Sequence, residues 1–198
     1  FDIANIGIRM TEDGKYPYWY SRTHLAMGAV VNHWVHDAAN DLDYLETSTQ
    51  YANTSGDLLF GLYPRGFRVQ TLQFLGRPLS EVQQAVDAQL SYCERISHPS
   101  RATEAIRQLL LDVSGKTSMP GEFDVDEYDV DAVRKELVQS GDSTSVEQFH
   151  ILRLPPLYLA GRFPEAADAM EEAQRGIDAA FGQLVHVEYV LYAGLTAA

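Results

Sequence analysis

The sequence predicts an all-α fold of stacked antiparallel helix pairs. Along most of the 198 residues, apolar side chains recur at three- and four-residue steps, which is the spacing of one face of a helix. Glycines and prolines divide this pattern into segments joined by short turns, and short turns place consecutive helices side by side in opposite directions. The strict alternation that is typical of strands is essentially absent.

Periodicity predicts five helices in the first 115 residues. Gly28, in the first of them, indicates a place where another backbone comes close. Gly56 ends the second helix in a left-handed conformation, and Asp57 caps the start of the third. Pro64 interrupts the third helix and costs a backbone hydrogen bond unless it lies in the first turn. The predicted ranges are 18–35, 38–54, 58–75, 79–96 and 99–115.

Residues 116–129 are polar, acidic and rich in turn formers, so they are predicted to form a solvated acidic loop. Pro155 and Pro156 predict a kink or break in one of the helices that follow, because a proline ring clashes with the carbonyl four residues earlier and removes an amide donor. The predicted helices after the loop cover 130–139, 143–160, 164–181 and 184–198.

The turn around Gly161 is typical of a tight helical hairpin. Gly161 ends one helix, and Pro164 begins the next. Ala166 and Ala173 are seven residues apart, and we expect both to face the preceding helix with Met170 buried between them. Such a seam of small residues is typical of tetratricopeptide-type repeats, so the predicted architecture is a tetratricopeptide-like α-α superhelix.

Composition excludes several classes of function. The chain has 15 basic and 28 acidic residues and a formal charge of −13. Such a surface repels phosphate backbones and anionic headgroups, so neither nucleic acid nor a membrane is an expected partner. Cys93 is the only cysteine, which rules out an internal disulfide, and its place on an apolar helix face indicates a core residue.

No apolar run approaches the length of a membrane span, and no signal peptide begins the chain. We therefore expect a cytoplasmic protein. The sequence begins without methionine and ends within an apolar stretch, which leads us to expect that 1–198 is a single helical repeat domain cut from a longer chain.

Seven short motifs follow one another along the chain: His33-Trp34, Tyr44-Leu45, Gly56-Asp57, the segment from Leu75 to Val82, the segment from Leu111 to Gly115, Tyr158-Leu159-Ala160-Gly161 and the segment from Val187 to Tyr192. In this order and spacing the chain resembles the helical repeat region of large bacterial signalling kinases. In that family a serine/threonine-kinase-like domain and an AAA-type ATPase module precede the repeats, and a GAF sensor and a histidine kinase often follow.

The resemblance implies a non-catalytic scaffold or sensor region without a cofactor, whose partners are the neighbouring domains of the same chain or a peptide or protein effector. The chain itself contains no phosphate-binding loop and no kinase catalytic motif. An alternative is the helical sensor region of an ATPase-containing transcription regulator. A DNA-binding domain in the parent gene would distinguish the two.

A third alternative is a small helical metal-dependent hydrolase. His33 and His36 are three residues apart, and His24 precedes them in the same predicted helix. Zinc requires a further ligand, for which Asp37 or Asp41 is the candidate. A histidine half-buried beside Trp34 at a helix end is the competing interpretation.

Three further clusters of side chains stand out in the sequence. The acidic loop has the charge of a calcium site but lacks the glycine at position six and the glutamate at position twelve of an EF-hand, and its carboxylates are Asp124, Asp126, Glu127, Asp129 and Asp131. The carboxylates of Asp168, Glu171 and Glu172 are predicted to lie on an exposed helix face.

An aromatic cluster near the N-terminus predicts either a peptide-binding surface or packing against a preceding helix. Its members are Tyr16, Tyr18, Trp19, Tyr20 and Trp34.

Overall fold

The computed structural model describes residues 1–12, 15–125, 128–141 and 143–198, and it confirms the all-α class. The described residues form ten α-helices and no strand. The chain divides into two compact units, Phe1–Pro99 and Ser100–Ala198. A single repeat domain over the whole chain stays a prediction.

The first unit contains five helices in which each packs against the next along the chain. Its helices are α1 (Asp2–Thr11), α2 (Pro17–Ala26), α3 (Asp41–Ser55), α4 (Leu58–Phe74) and α5 (Leu79–Ile96). A π-helical turn, Met27–Val31, and two 3-10 turns, Asn32–Trp34 and Ala38–Asn40, join α2 to α3. The helix predicted over 18–35 is therefore α-helical only as far as Ala26. Helix α1 was not predicted from the sequence.

The predicted ends of α3 and α4 are confirmed. Gly56 has a φ of 70°, and the Asp57 side chain accepts a hydrogen bond from the backbone amide of Phe60 at 3.1 Å. Pro64 lies inside α4, beyond its first turn, so the helix continues without one internal hydrogen bond. Cys93 is buried with Leu62, which confirms its interpretation as a core residue.

Gly28 lies where α3 comes closest to the π-helical turn, as the sequence predicted. A Cβ atom at Gly28 would stand 2.9 Å from the carbonyl oxygen of Asp41 and 3.0 Å from Leu45 Cγ and Tyr44 Cβ. Real Cβ atoms seldom approach backbone so closely, and the backbone of α3 cannot give way as a flexible side chain would.

We expect Gly28→Ala to lower the free energy of unfolding by about 2 kcal/mol, because overpacking costs more than the roughly 1 kcal/mol that alanine gains over glycine in a helix. Gly194→Ala is the matched control, since nothing lies within 4 Å of a Cβ at that position of the last helix. It should stabilise the protein slightly. Urea denaturation followed by circular dichroism measures both, and equal effects would contradict the close approach at Gly28.

The second unit is arranged around one long helix. Its helices are α6 (Arg101–Val113), α7 (Val130–Ser140), α8 (Ser143–Leu159), α9 (Phe163–Gln174) and α10 (Leu184–Ala197). Helix α8 contacts α6, α7, α9 and α10. The helix predicted over 164–181 ends earlier, at Gln174, and a 3-10 turn, Ile177–Ala180, follows Gly176.

The predicted break at Pro155 and Pro156 is wrong, because α8 continues through both residues. Two amide donors are missing from the helix, which costs several kcal/mol in isolation. Ile151, Leu154 and Leu157 surround the two prolines and are fully buried in the core of this unit. Burial of this face by the neighbouring helices keeps the segment helical despite its low intrinsic propensity.

The hairpin after α8 is confirmed in its main features. Gly161 has a φ of 73° and ends the helix, and Ala166 and Ala173 are buried in one core cluster with apolar residues of α8. Met170 is only partly buried, which corrects the expectation that it fills the seam. Ala169 takes that place because it stands three residues after Ala166 and four before Ala173, on the same helix face.

The loop between α6 and α7 is irregular, as predicted, but it is not simply solvated. Phe123 is 1% exposed. The Gln108 side chain donates to the carbonyl of Val125 at 2.9 Å and accepts from its amide at 3.2 Å. One carboxylate oxygen of Asp112 accepts from the amide of Gly121 at 2.9 Å. Buried groups of α6 therefore hold the described part of this loop.

Among the described residues, none of the helices combines the length and the apolar character that a membrane crossing requires.

Candidate functional site

Four of the five aromatic residues singled out near the N-terminus expose large parts of their side chains. Tyr16, Tyr18, Trp19 and Trp34 are 53%, 42%, 57% and 56% exposed. Tyr16 is the residue before α2, and Tyr18 and Trp19 lie in its first turn, where their rings meet edge to face at 5.3 Å. The start of α2 therefore presents a small aromatic surface, which we name the α2 aromatic surface and define as Tyr16, Tyr18 and Trp19.

Arg22 fixes the base of the α2 aromatic surface. Its guanidinium carbon lies 3.3 Å from the centroid of the Tyr18 ring and 3.4 Å from that of Phe60. Its Nη1 also donates to the Asp57 carboxylate at 2.8 Å. Burial raises the pKa of Asp57, but the hydrogen bonds from Arg22 and from the amide of Phe60 outweigh it, and the net pKa is lowered. The Tyr18 ring is thereby held in one orientation.

Tyr20 belongs to a different environment. It is half-buried, and its ring packs 4.4 Å from that of Tyr51 and 4.1 Å from that of His24. Burial raises the pKa of Tyr20, and Tyr51 adds to the effect. The predicted five-residue cluster therefore separates, with Tyr20 contributing to the interior. Trp34 ends the first 3-10 turn between α2 and α3, and its ring contacts that of His33.

The three histidines of the predicted metal site are engaged in separate contacts. His24 is buried, its Nδ1 lies 2.9 Å from the carbonyl oxygen of Tyr20, and burial lowers its pKa. His33 Nδ1 lies 2.8 Å from one carboxylate oxygen of Asp41. His36 is exposed and contacts the ring of Phe1. Within the described residues, no three His, Cys, Asp or Glu side chains are grouped so as to hold a metal ion.

Asp41 is the centre of a buried polar network that joins the 3-10 turn Asn32–Trp34 to α3. Its side chain is fully buried, and its other carboxylate oxygen accepts from Asn32 Nδ2 at 2.8 Å. Asn32 also donates to the carbonyl of Asp37 at 3.2 Å. The sequence analysis proposed Asp41 as a metal ligand, whereas here both of its oxygens are used by protein side chains.

Carboxylates of the acidic loop make separate hydrogen bonds within the fold. Asp124 accepts a hydrogen bond from the amide of Ser118, and hydrogen bonds from Ser118 lower its pKa. Asp129 caps α7 by accepting from the amide of Ala132 at 2.9 Å. Asp126 and Glu127 lie outside the described residues. Among the described residues of this loop, no group of three carboxylates is placed so that it could hold a metal ion.

An exposed apolar stripe on α1 was not predicted from the sequence. Ile3, Ile6 and Met10 are 86%, 47% and 74% exposed, and α1 has no buried residue. Their spacing of three and four residues is the signal that could have identified the helix and its apolar face. The first unit therefore carries both this stripe and the α2 aromatic surface.

Comparison with protein-family models, with curated proteins and with solved structures found no match to this chain. The first unit presents exposed aromatic and aliphatic side chains on α1 and α2. Its candidate metal ligands His24, His33, His36 and Asp41 take part in contacts within the fold.

Proposed function

We propose that this chain is a non-catalytic helical scaffold or sensor region of a multi-domain bacterial signal-transduction kinase, with its helix pairs stacked in the tetratricopeptide-like manner. The observation that carries this proposal is the exposure of Tyr16, Tyr18 and Trp19 on α2 together with the apolar stripe of α1. Exposed apolar side chains concentrated in one region of a protein are typical of interaction sites.

The partner we propose is an amphipathic helix or an extended peptide from a neighbouring domain of the same parent protein. Tyrosine and tryptophan are enriched among the residues that dominate binding energies, because each buries a large rigid area at a small entropic cost. Arg22 reduces that cost further, since the ring of Tyr18 is already stacked on its guanidinium before any partner binds.

Tryptophan fluorescence tests this proposal directly, since both tryptophans of the chain, Trp19 and Trp34, are exposed. The full chain is titrated with each domain encoded beside it in the parent gene. We expect a blue shift of the emission with at least one domain. Trp19→Ser should weaken binding by about tenfold or more, as measured by calorimetry, because truncation of a central aromatic residue costs upwards of 1 kcal/mol.

Phe181→Ser is the matched control, because Phe181 is 78% exposed but lies in the second unit. It should leave the affinity unchanged. ATP turnover by the chain alone, or failure of every neighbouring domain to bind, would contradict the proposal.

A further inference from the structure

A polar cavity of about 300 Å³ lies among α7, α8 and α9 of the second unit, a volume at the lower end of small-molecule sites. His150 and Arg153 of α8 line it, together with Arg134 of α7. From α9 it receives acidic side chains, among them Asp168 and Glu171. Its lining therefore combines cationic and anionic groups.

On the α8 side of the cavity, two buried nitrogen atoms make no hydrogen bond with the described residues. They are Nδ1 of His150, a residue that is 2% exposed, and Nε of Arg153. Within the part of the chain that the structure describes, none of the ion pairs includes Arg153. A guanidinium so placed is stabilised by an anion that it can reach.

The positive charge on this side of the cavity belongs to the arginines and not to the histidine. Burial and then the charge of Arg153 lower the pKa of His150 to about 4, with Arg134 contributing. The imidazole is therefore neutral at neutral pH. Arg134 is already paired with Glu172 at 2.7 Å. Arg153 forms no close ion pair among the described residues, and the carboxylates of Glu122 and Asp131 act on it only at longer range.

The α9 side of the cavity has the opposite character. Glu165 is paired with Arg162 at 2.9 Å, and Glu172 with Arg134. Asp168 and Glu171 are exposed, and among the described residues neither takes part in an ion pair. These two carboxylates repel a ligand that carries only negative charge and attract a cationic group.

We infer that this cavity binds a small zwitterion of the α-amino acid class, with its carboxylate paired to Arg153 and its ammonium group placed at Asp168 and Glu171. Arginine and carboxylate form strong paired hydrogen bonds. A phosphate or a simple carboxylate would meet the acidic side without a compensating charge, and a simple amine would leave Arg153 unpaired. The inference goes beyond the proposed function, because it concerns the second unit and requires no macromolecular partner.

Calorimetry on the full chain tests the inference with the twenty standard amino acids, acetate, methylamine and inorganic phosphate as separate probes. At least one amino acid should bind, and more tightly than any probe that carries a single kind of charge. Arg153→Gln should weaken that binding by about tenfold or more, since it removes a charge-assisted pair. Arg101→Gln is the matched control, because Arg101 is a partly buried arginine of the same unit that does not line the cavity.

A second variant keeps the test decisive if Arg153→Gln fails to fold. The double substitution Asp168→Asn with Glu171→Gln changes only exposed side chains. It should weaken amino-acid binding and strengthen binding of phosphate and acetate. The inference is overturned if no amino acid binds, if phosphate binds more tightly than every amino acid, or if the double substitution leaves amino-acid affinity unchanged.

Discussion

Replacement of Asp41 with alanine is expected to lower the free energy of unfolding by about 3 kcal/mol, within the range measured when one partner of a buried polar pair is removed. The Asp41 side chain is fully buried and accepts from Asn32 at 2.8 Å, while its other oxygen lies 2.8 Å from His33 Nδ1. Without it, the polar atoms of both neighbours stay in the interior with fewer partners, and that desolvation is not recovered.

Asp43→Ala is the matched control for this prediction. Asp41 and Asp43 both lie in the first turn of α3, so both interact with the positive end of the helix dipole. Asp43 is exposed, and its loss should cost less than about 0.5 kcal/mol. Chemical denaturation of the two variants isolates the buried network. Equal losses would mean that the helix dipole, and not the network, accounts for the stabilisation.

Glu147→Gln is expected to raise the free energy of unfolding relative to wild type. This gain should be about 2 to 3 kcal/mol larger at alkaline pH than at acidic pH. Glu147 is fully buried in α8, and neither carboxylate oxygen makes a hydrogen bond. Burial raises its pKa from 4.5 to about 7. The backbone amide of Ala180 opposes this shift without forming a hydrogen bond of good geometry, and the charge of Asp178 adds to the shift. The charged form is therefore disfavoured in the native state.

The direction of the pH dependence follows from which state holds the proton. Between pH 4.5 and about 7, Glu147 keeps its proton in the native state and loses it in the unfolded state. The free energy of unfolding therefore falls as the pH rises through this range. Above pH 7 the whole cost of burying the charged carboxylate is present. Glu147→Gln removes this dependence. The difference in unfolding free energy between variant and wild type should therefore grow from about pH 4 to about pH 8, whereas Glu171→Gln, at an exposed carboxylate, should show little change. A constant difference for Glu147→Gln would contradict the buried charge.

Helix ends marked by a glycine or a capping aspartate were well predicted from the sequence, because their signals are local. Gly56 and Gly161 take the left-handed conformation that ends a helix, and Asp57 caps the helix that follows. Each of these depends on residues within about four positions along the chain. The close approach at Gly28 was also predictable. A glycine inside an apolar helix is less stable than an alanine, so its presence indicates close packing against another element.

The sequence could not predict features that depend on distant neighbours. The prolines of α8 have a strong local tendency to end a helix, and it is overcome by core packing that involves residues far along the chain. Likewise, the cavity unites Arg134, Arg153 and Asp168 from three helices. No spacing in the sequence indicates that arrangement, and Asp168 was interpreted there only as part of a solvated face.

Asp57 performs two tasks with one carboxylate, and this couples two events in folding. It caps α4 through the amide of Phe60 and holds Arg22 of α2. The first turn of α4 is therefore not free to fray independently, since its opening also releases the guanidinium from between Tyr18 and Phe60. The start of α4 and the start of α2 thus belong to one cooperative unit, and their amide hydrogens should exchange with solvent in a common opening event.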